Sequence, residues 1–498
     1  MKRSPLRFVA GSCLAGFILA LAFVGIENSA LAQKGKKDQP RHVFAGPAPA
    51  HPFDIILARP TDKSITVSIL AYKEMEGYIT FGVEKDKPIA KTDVRTFTRH
   101  VPIEFILKGL QPDTRYVYRL HHRDGKAGDF VADVVEHTFQ TQRKPGGSFI
   151  FTMQADSHLD QNTRAAVYER TLKNALADKT DFHIDLGDTF MTDKYEKYKD
   201  AMPHYLAQRY YFGLLAHSAP LFLVLGNHDG ERLDRYDGTA DCMPVWSCLT
   251  RKKLFPNPYS DGFYTGNKTE VKLIGRVENY YAWEWGDALF IALDPFWSTV
   301  KSGGKKKSEG NWTRTLGKEQ YDWLKNTLET SKAKFKFVFI HHLVGGLDEQ
   351  ARGGSEAAEL YEWGGKNKDG KDEFKTKRPG WEMPIHSLLV KHRVSAVFHG
   401  HDHFYARQEL DGIVYQLVPQ PGHPGFDRLR DATEYGYLRG HFLPPSGHIR
   451  VTVSSEKAVV DYVRAYLPNN ETPTRRNGEV SFSYPIRPKN SAARLTHD

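Results

Sequence analysis

Short segments of alternating apolar and polar residues fill the chain between Pro47 and Gln142. Examples are SITVSILAY and RYVYRL, and turn residues separate them. Alternation with a period of two is typical of strands that bury one face, and no amphipathic helix interrupts the series. The pattern therefore predicts a small all-β sandwich over residues 47–145.

The pattern changes near Gly147, where continuous apolar segments begin to alternate with segments of helical period. Helices are predicted in QNTRAAVYERTLKNALADK, in residues 203–216 and in GKEQYDWLKNTLETS. Strands alternating with helices predict an α/β layer structure over residues 146–467. Residues 468–498 are predicted to be a loosely ordered tail, and the polar segment 363–380 to be a solvated insertion or a lid.

The N-terminus has the organisation of a secretory signal peptide. A basic start precedes an apolar stretch from Phe8 to Ile26, and Ala-Leu-Ala stands before Gln33. Residues 1–32 are therefore predicted to direct export to the periplasm or the outside and then to be removed, while an uncleaved membrane anchor is the alternative. Residues 33–46 are expected to form a flexible lead-in, and no later segment is predicted to insert stably into a membrane.

Net charge and cysteine content indicate which class of partner the protein binds and whether its cysteines are paired. The 498 residues carry a net charge of +9, but the basic residues stand in short, separate clusters. Because no basic stripe alternates with aromatic residues, we expect no nucleic-acid partner, and a small anionic substrate suits the charge. For an exported chain, a disulfide between Cys242 and Cys248 is favoured over two free thiols.

Polar side chains follow five of the predicted strands, at the point where each strand ends. They stand in Asp156-Ser-His158, Gly187-Asp188, Gly226-Asn227-His228-Asp229, His341-His342 and His399-Gly400-His401-Asp402-His403. A single Gly-Asp after a strand is usually only a turn, but five such segments together are not explained as turns. Because the carboxyl ends of strands in layered α/β folds meet at one crevice, we expect these groups to converge.

The donor types indicate metal binding. Carboxylate, amide and imidazole groups without thiolates suit Mn, Fe or Zn ions rather than a structural cysteine site. The donors are too many for one ion, so two ions that share a carboxylate are predicted. Such a pair can bind phosphate oxygens and activate a water molecule.

In their order along the chain, these motifs resemble those of the calcineurin-like metallophosphoesterases. The resemblance covers about residues 150–465 and implies a four-layer α-β-β-α fold that acts on a small phosphorylated substrate. It implies two ligand sets that share Asp188, with His228 steadying or protonating the leaving oxygen and Asp229 orienting His228. The ligands of the two sets are Asp156, His158, Asp188 and His403 for one ion, and Asp188, Asn227, His341 and His401 for the other.

A sandwich ahead of this region, together with GHDHFYAR, looks like the purple acid phosphatases, and LKGLQPDTRYVYRL resembles a corner of a fibronectin type III domain. The chain departs from the purple enzymes at two positions. Met191 stands where they have a tyrosine ligand, and His158 stands where they have glycine. We therefore expect His158 to replace the tyrosine and the protein to lack the tyrosinate-to-iron colour.

The remaining histidines have open roles. His342 is expected either to contact substrate or to pack behind His341, and His399 to support the strand end rather than to bind metal. The predicted function is an exported phosphomonoesterase with two metal ions. The alternatives are a phosphodiesterase or nucleotide hydrolase and, in a different class, a binding protein without turnover. The sequence specifies neither the natural substrate nor an oligomeric state.

Overall fold

A computed structural model describes residues 43–489, except 127, 301–309, 426 and 430. The predicted signal peptide lies outside the described residues, as do residues 33–42 of the predicted lead-in and residues 490–498. Within the described ranges, no helix combines the length and the apolar character needed to cross a bilayer.

Nine strands form two antiparallel sheets in the N-terminal region. One sheet has the order β1-β2-β6; the other has the order β4-β3-β7-β8, with β5 also paired to β3 and β9 to β7. Their apolar faces enclose a core that includes Ile69, Phe97 and Tyr118, so the prediction of an all-β region is confirmed. The strands are β1 Phe53–Ala58, β2 Ser64–Ala71, β3 Met75–Gly82, β4 Ala90–Lys91, β5 Arg95–Phe97, β6 Ile103–Lys108, β7 Arg115–Asp124, β8 Val131–Ala132 and β9 His137–Gln140.

Two mixed sheets follow, one of six strands and one of eight. The six-stranded sheet has the order β12-β11-β10-β23-β24-β25, and the eight-stranded sheet has the order β13-β16-β17-β18-β19-β21-β20-β22. A separate hairpin pairs β14 with β15. The strands are β10 Phe149–Gln154, β11 Phe182–Asp185, β12 Leu221–Leu223, β13 Thr265–Gly266, β14 Glu270–Val271, β15 Gly275–Arg276, β16 Tyr281–Trp285, β17 Ala288–Ala292, β18 Phe335–Ile340, β19 Ala396–His399, β20 Tyr405–Leu410, β21 Ile413–Leu417, β22 His441–Leu443, β23 Gly447–Val453, β24 Ala458–Arg464 and β25 Val480–Ile486.

Helices cover the outer faces of the two sheets. The helices are α1 Ala165–Ala177, α2 Tyr198–Ala216, α3 Met243–Leu254, α4 Lys318–Thr330, α5 Tyr361–Gly364, α6 Phe374–Lys377 and α7 Ile385–Lys391. Helices α1 and α2 lie on the side of the six-stranded sheet, whereas α4 and α7 pack against the eight-stranded sheet. The predicted four-layer α-β-β-α fold behind an all-β region is thus confirmed.

Aromatic side chains fill the space between the two sheets. Phe151 and Phe182 of the six-stranded sheet contact Phe290 of the eight-stranded sheet edge-on, with ring centroids 5.1 and 5.2 Å apart. Phe337 and Phe398 join the same cluster. Strands buried on both faces require continuous apolar segments, which explains why these strands lack alternation. This packing holds the ends of the two sheets in a fixed relation to each other.

Two expectations about other parts of the chain are wrong. The predicted tail is ordered to residue 489, because β25 pairs with β24 and the hydroxyl of Tyr484 donates to Oε1 of Gln416 at 2.8 Å. Cys242 and Cys248 are free, buried thiols rather than a disulfide. The first precedes α3 and the second lies within it, and their sulfurs contact the backbone oxygens of Thr239 and Val277 respectively.

Two further segments make defined contacts with the rest of the fold, although most of residues 363–380 are exposed, as expected for a solvated insertion. The 363–380 segment contains α6, and Arg378 binds the carboxylate of Glu362, which is fully buried. At the other end, residues 43–46 pair with the loop after β10. The Ala45 amide donates to the oxygen of Leu159 at 2.9 Å, and Phe44 forms a bridge with Asp160. The last part of the predicted lead-in therefore lies against the loop that carries His158.

A buried carboxylate ties the N-terminal β region to the six-stranded sheet. Asp181, just before β11, accepts hydrogen bonds from Arg143 at 2.8 Å and from Arg115 at 3.2 Å. The indole N–H of Trp285, in the eight-stranded sheet, also donates to this carboxylate at 3.2 Å. The carboxylate of Asp181 therefore joins the N-terminal β region, the six-stranded sheet that contains β11 and the eight-stranded sheet.

We expect Asp181→Asn to lower the free energy of unfolding by about 2–3 kcal/mol, because charge-assisted hydrogen bonds to a buried carboxylate are lost. Asp86→Asn is the matched control, since Asp86 pairs with Arg119 while 63% exposed. It should cost less than about 0.5 kcal/mol. Urea unfolding followed by tryptophan fluorescence measures both, and equal effects would show that Asp181 does not join these parts.

Candidate metal centre

The strand ends that carry the candidate ligands meet at one place. Strands β10, β11 and β12 are parallel neighbours whose last residues lie in register, and β18 and β19 are parallel neighbours in the other sheet. Across the gap, Nε2 of His341 lies 3.3 Å from Oδ2 of Asp188 and 3.9 Å from Oδ1 of Asp156. Donors separated by more than a hundred residues are thus brought within coordination range of a common centre.

The donors form two groups with metal-binding geometry. Asp156, His158 and His403 offer ligand atoms within 4.8 Å of one another, and so do Asp188, His341 and His401. Oδ2 of Asp188 also lies 3.8 Å from Nε2 of His158, a member of the first group. Asp188 therefore stands between the groups, where a bridging carboxylate would stand.

Backbone amides fix each carboxylate so that one oxygen stays available. The amide of His401 donates to Oδ2 of Asp156, and the amide of His228 donates to Oδ1 of Asp188, both at 2.8 Å. The remaining oxygens, Oδ1 of Asp156 and Oδ2 of Asp188, point toward the imidazoles. Each aspartate thus has one oxygen for orientation and one for a ligand.

The imidazoles are oriented in a similar way. Nδ1–H of His341 donates to the oxygen of Leu186 at 2.8 Å, and Nε2–H of His401 donates to the oxygen of Gln350 at 2.7 Å. The other ring nitrogens of these two histidines lie 3.3 Å apart, facing the centre. Such hydrogen bonds select the tautomer that leaves a lone pair for metal.

The polar atoms that face the centre fit metal ions. Oδ1 of Asp156 and Nε2 of His158 are buried and have no hydrogen-bond partner within the described ranges. Buried polar atoms normally have partners, so these atoms lack one that a cation would supply. Oxygen and nitrogen donors without sulfur suit Mn, Fe or Zn. The two groups are therefore consistent with a dinuclear centre.

Electrostatics favours the ionised carboxylate at the bridge. Burial alone would raise the pKa of Asp188, but the imidazoles of His341, His228 and His158 hold it well below its usual range. Burial lowers the pKa of His401 to about 4 and that of His403 to about 3. These two rings are therefore neutral at neutral pH, the form in which imidazole binds metal.

The backbone of the ligand loops is strained. Five ligand residues have φ between 51° and 81°, in the left-handed region that residues other than glycine rarely occupy. They are Asp156, His158, Asp188, His401 and His403. Such conformations cost about 1–3 kcal/mol each and persist where the surrounding fold enforces them. Five of them among the ligands mark the place where the fold is shaped by function.

Two glycines allow the strand ends to approach closely. A Cβ at Gly226 would lie 2.0 Å from the amide nitrogen of Asp188, and one at Gly400 would lie 2.8 Å from Oδ2 of Asp156. The space next to each glycine is thus occupied by a ligand residue. Any larger residue would push the two aspartates out of position.

The structure corrects the role assigned to Asp229. Its carboxylate accepts hydrogen bonds from four backbone amides, those of Asp188, Thr189, Phe190 and Gly226. It therefore holds the loops after β11 and β12 together and does not orient His228. The partner of His228 is Asp193, whose two oxygens both lie 3.0 Å from Nδ1.

A cavity of about 280 Å³ opens beside the ligand groups. Asn227, His228, His342 and His401 line it, so His342 faces the cavity instead of packing only behind His341. Oδ1 of Asn227 lies 3.1 Å from Nε2 of His341, as expected for a donor beside the second group. A second cavity of about 520 Å³ lies on the side of His403.

The structure also shows where His399 and Met191 lie relative to the ligand groups. His399 is a buried residue at the end of β19, belongs to neither ligand group, and has an unpartnered Nε2 within the described ranges. Met191 is buried with a φ of 49°, and its side chain offers the site no oxygen or nitrogen donor. His158 is the residue that completes the first group.

Several residues of the site carry no signal in the sequence. Asp193 lies in an irregular loop with a short 3₁₀ turn. Of the three arginines that line the cavity, Arg232 and Arg235 come from one loop and Arg314 from another. Gln350 contributes only its backbone oxygen to His401. No strand-end pattern marks such residues, because the path of each loop alone brings them to the site.

Comparison with known proteins agrees with the geometry. The family model described as calcineurin-like phosphoesterase matches residues 151–405. The structure of PhoD is similar with a TM-score of 0.59 at 16% identity, covering 90% of this chain and 95% of that chain. Purple acid phosphatase PPD1 from yellow lupin (Lupinus luteus) seeds is similar with a TM-score of 0.56 at 14% identity, covering 87% and 74%. No curated protein sequence matches the chain.

The family model spans half of the chain and includes all five strand-end motifs, and the two similar structures share the fold. Two groups of metal donors lie where those motifs meet. The chain belongs to the calcineurin-like phosphoesterase family and is a metal-dependent phosphoesterase.

Proposed function

We propose that this phosphoesterase is exported and hydrolyses phosphate monoesters. The observation that carries the proposal is the position of the His228–Asp193 pair at the cavity, next to the shared Asp188. The predicted signal peptide supports export. The likeness to a purple acid phosphatase supports the fold in which such a site would work.

Two bound ions would supply Lewis-acid chemistry and a water activated as a nucleophile. Asp156, His158 and His403 would hold one ion, His341 and His401 the other, with Asp188 between them. Asn227 reaches the second group from the cavity side. The protein's own contribution is to keep these donors in place through the amide and carbonyl contacts around them.

His228 is placed to protonate the leaving oxygen. Because Nδ1 donates to the carboxylate of Asp193, Nε2 is the nitrogen that can face a substrate, and it lies 4.0 Å from Oδ2 of Asp188. The side chain is 26% exposed, so it can take up a proton from solvent. The carboxylate of Asp193 behind the ring fixes its orientation.

Metal loading and the bridging carboxylate should decide activity. Metal-stripped protein should lose hydrolysis of 4-nitrophenyl phosphate and regain it with Mn, Fe or Zn. Asp188→Ala should reduce kcat/KM by at least about a thousandfold, since the charge shared by both ions is lost. Asp86→Asn, on the surface, is the control that should keep full activity.

The same assay with bis(4-nitrophenyl) phosphate distinguishes the ester classes. Faster hydrolysis of the monoester is the expected result. An active enzyme that prefers the diester would replace the monoesterase proposal by a phosphodiesterase. Equal background rates with and without metal, unchanged in Asp188→Ala, would contradict phosphoesterase activity altogether.

Asp193→Asn should lower kcat by about tenfold to a hundredfold, because His228 loses the carboxylate that orients it. The loss should be larger for phenyl phosphate, whose leaving oxygen needs a proton, than for 4-nitrophenyl phosphate. Asp200→Asn, an exposed aspartate in the first turn of α2, is the control. Equal losses on both substrates would mean that Asp193 acts only on structure.

His158→Ala should lower metal content from two ions per chain toward one, measured by elemental analysis after dialysis, because the first group loses a donor. The variant His441→Ala, at an exposed histidine away from both groups, should keep two ions per chain.

Iron-loaded protein should show no tyrosinate charge-transfer band in the visible spectrum. A purple colour would contradict the assignment of His158 in place of a tyrosine.

A further inference from the structure

We infer that the cavity beside His228 contains a subsite for a second phosphate group of the substrate, formed by Arg232, Arg235 and Arg314. This inference rests on the proposed function and narrows the substrate class to small molecules that carry two phosphates. All three arginines line the same cavity as Asn227 and His228. The strand-end motifs do not require them.

Arg314 is a fixed cation in the cavity wall. Its guanidinium donates to the backbone oxygens of Gly345 and Glu349, and within the described ranges its hydrogen-bond acceptors include no carboxylate. Carbonyl oxygens hold the group in place without neutralising it. The same loop provides the oxygen of Gln350 that orients His401, so Arg314 is placed rigidly relative to the ligand groups.

The other two arginines add positive charge to the cavity wall, Arg232 from a partly buried position and Arg235 from an exposed one. Arg232 is neutralised in part by Asp234, with nitrogen–oxygen distances of 3.0 and 3.1 Å. Arg235 is exposed, and its hydrogen bond within the described ranges is a weak contact to Sδ of Met243 at 3.4 Å. Most donors of Arg235 are therefore free to meet a ligand.

Arg232 is close enough to Arg314 to affect its pKa. Burial lowers the pKa of Arg314, Asp348 opposes that shift, and Arg232 adds to it. Guanidinium groups keep their charge at neutral pH, so the arginines are cations in the cavity wall. Like charges gathered in a cavity wall are the usual arrangement for binding an oxyanion.

Two acids line the cavity with the three arginines, and Asp348 and Glu349 offset part of the charge of Arg314. Asp193 is engaged with His228, and Glu349 has an exposed side chain. Phosphate suits the site because its oxygens can accept paired hydrogen bonds from a planar guanidinium. A cavity of about 280 Å³ admits a small molecule whose second phosphate lies a few bonds from the scissile one.

Competition by a matched pair of inhibitors tests the subsite. Propane-1,3-bisphosphonate and propylphosphonate differ in one phosphonate group, and each is measured against hydrolysis of 4-nitrophenyl phosphate. The bisphosphonate should have an inhibition constant at least about tenfold lower, the gain of a charge-assisted contact. In Arg235→Gln and in Arg314→Gln this ratio should fall toward one.

Arg407→Gln, a surface arginine paired with Glu409, should keep the wild-type ratio. A ratio near one in active wild-type enzyme would overturn the subsite and leave the proposed function intact. A large ratio that persists in both arginine variants would also overturn it, since the second phosphonate would then bind elsewhere. If Arg314→Gln does not fold, the exposed Arg235 still gives the answer.

Inactive wild-type protein would contradict the proposed function, not the subsite. In that case, titration calorimetry of metal-loaded protein with the two phosphonates gives the same comparison of affinities. Tighter binding of the bisphosphonate that is lost in Arg235→Gln would support the subsite. Equal affinities would overturn it.

Discussion

The buried contact between Asp188 and the imidazoles around it holds the centre together. A carboxylate taken out of water loses hydration, so it stays ionised only where charge or hydrogen bonds replace that hydration. His341 from the eight-stranded sheet lies 3.3 Å from it and His158 lies 3.8 Å away. Each sheet alone would carry half of the donors. The centre therefore exists only when the two sheets pack face to face.

That packing also explains how the strained loops persist. Left-handed conformations at the ligand residues are unfavourable locally, and the close approach at Gly226 and Gly400 leaves no freedom to relax them. The aromatic contacts between the sheets, such as Phe151 on Phe290, fix the strands from which these loops leave. Asp229 then ties two of the loops together through four amides. The rigid core thus fixes the positions of the metal donors.

The side of the centre that faces substrate is built differently. Here His228, Asp193 and the cavity arginines come from loops, and their positions rest on contacts with carbonyls and carboxylates rather than on sheet packing. Loops can change such residues without disturbing the metal donors. The fold therefore separates the metal donors from the groups that select a substrate.

The sequence by itself determined the fold class, the all-β region and the candidate donors, because strand patterns and the residues directly after them depend on local order along the chain. Tertiary structure decided the rest. Asp193 rather than Asp229 supports His228, β25 closes the sheet where a loose tail was expected, and Cys242 and Cys248 remain thiols. Each of these depends on the path of a loop or on pairing between distant segments, which no local pattern encodes.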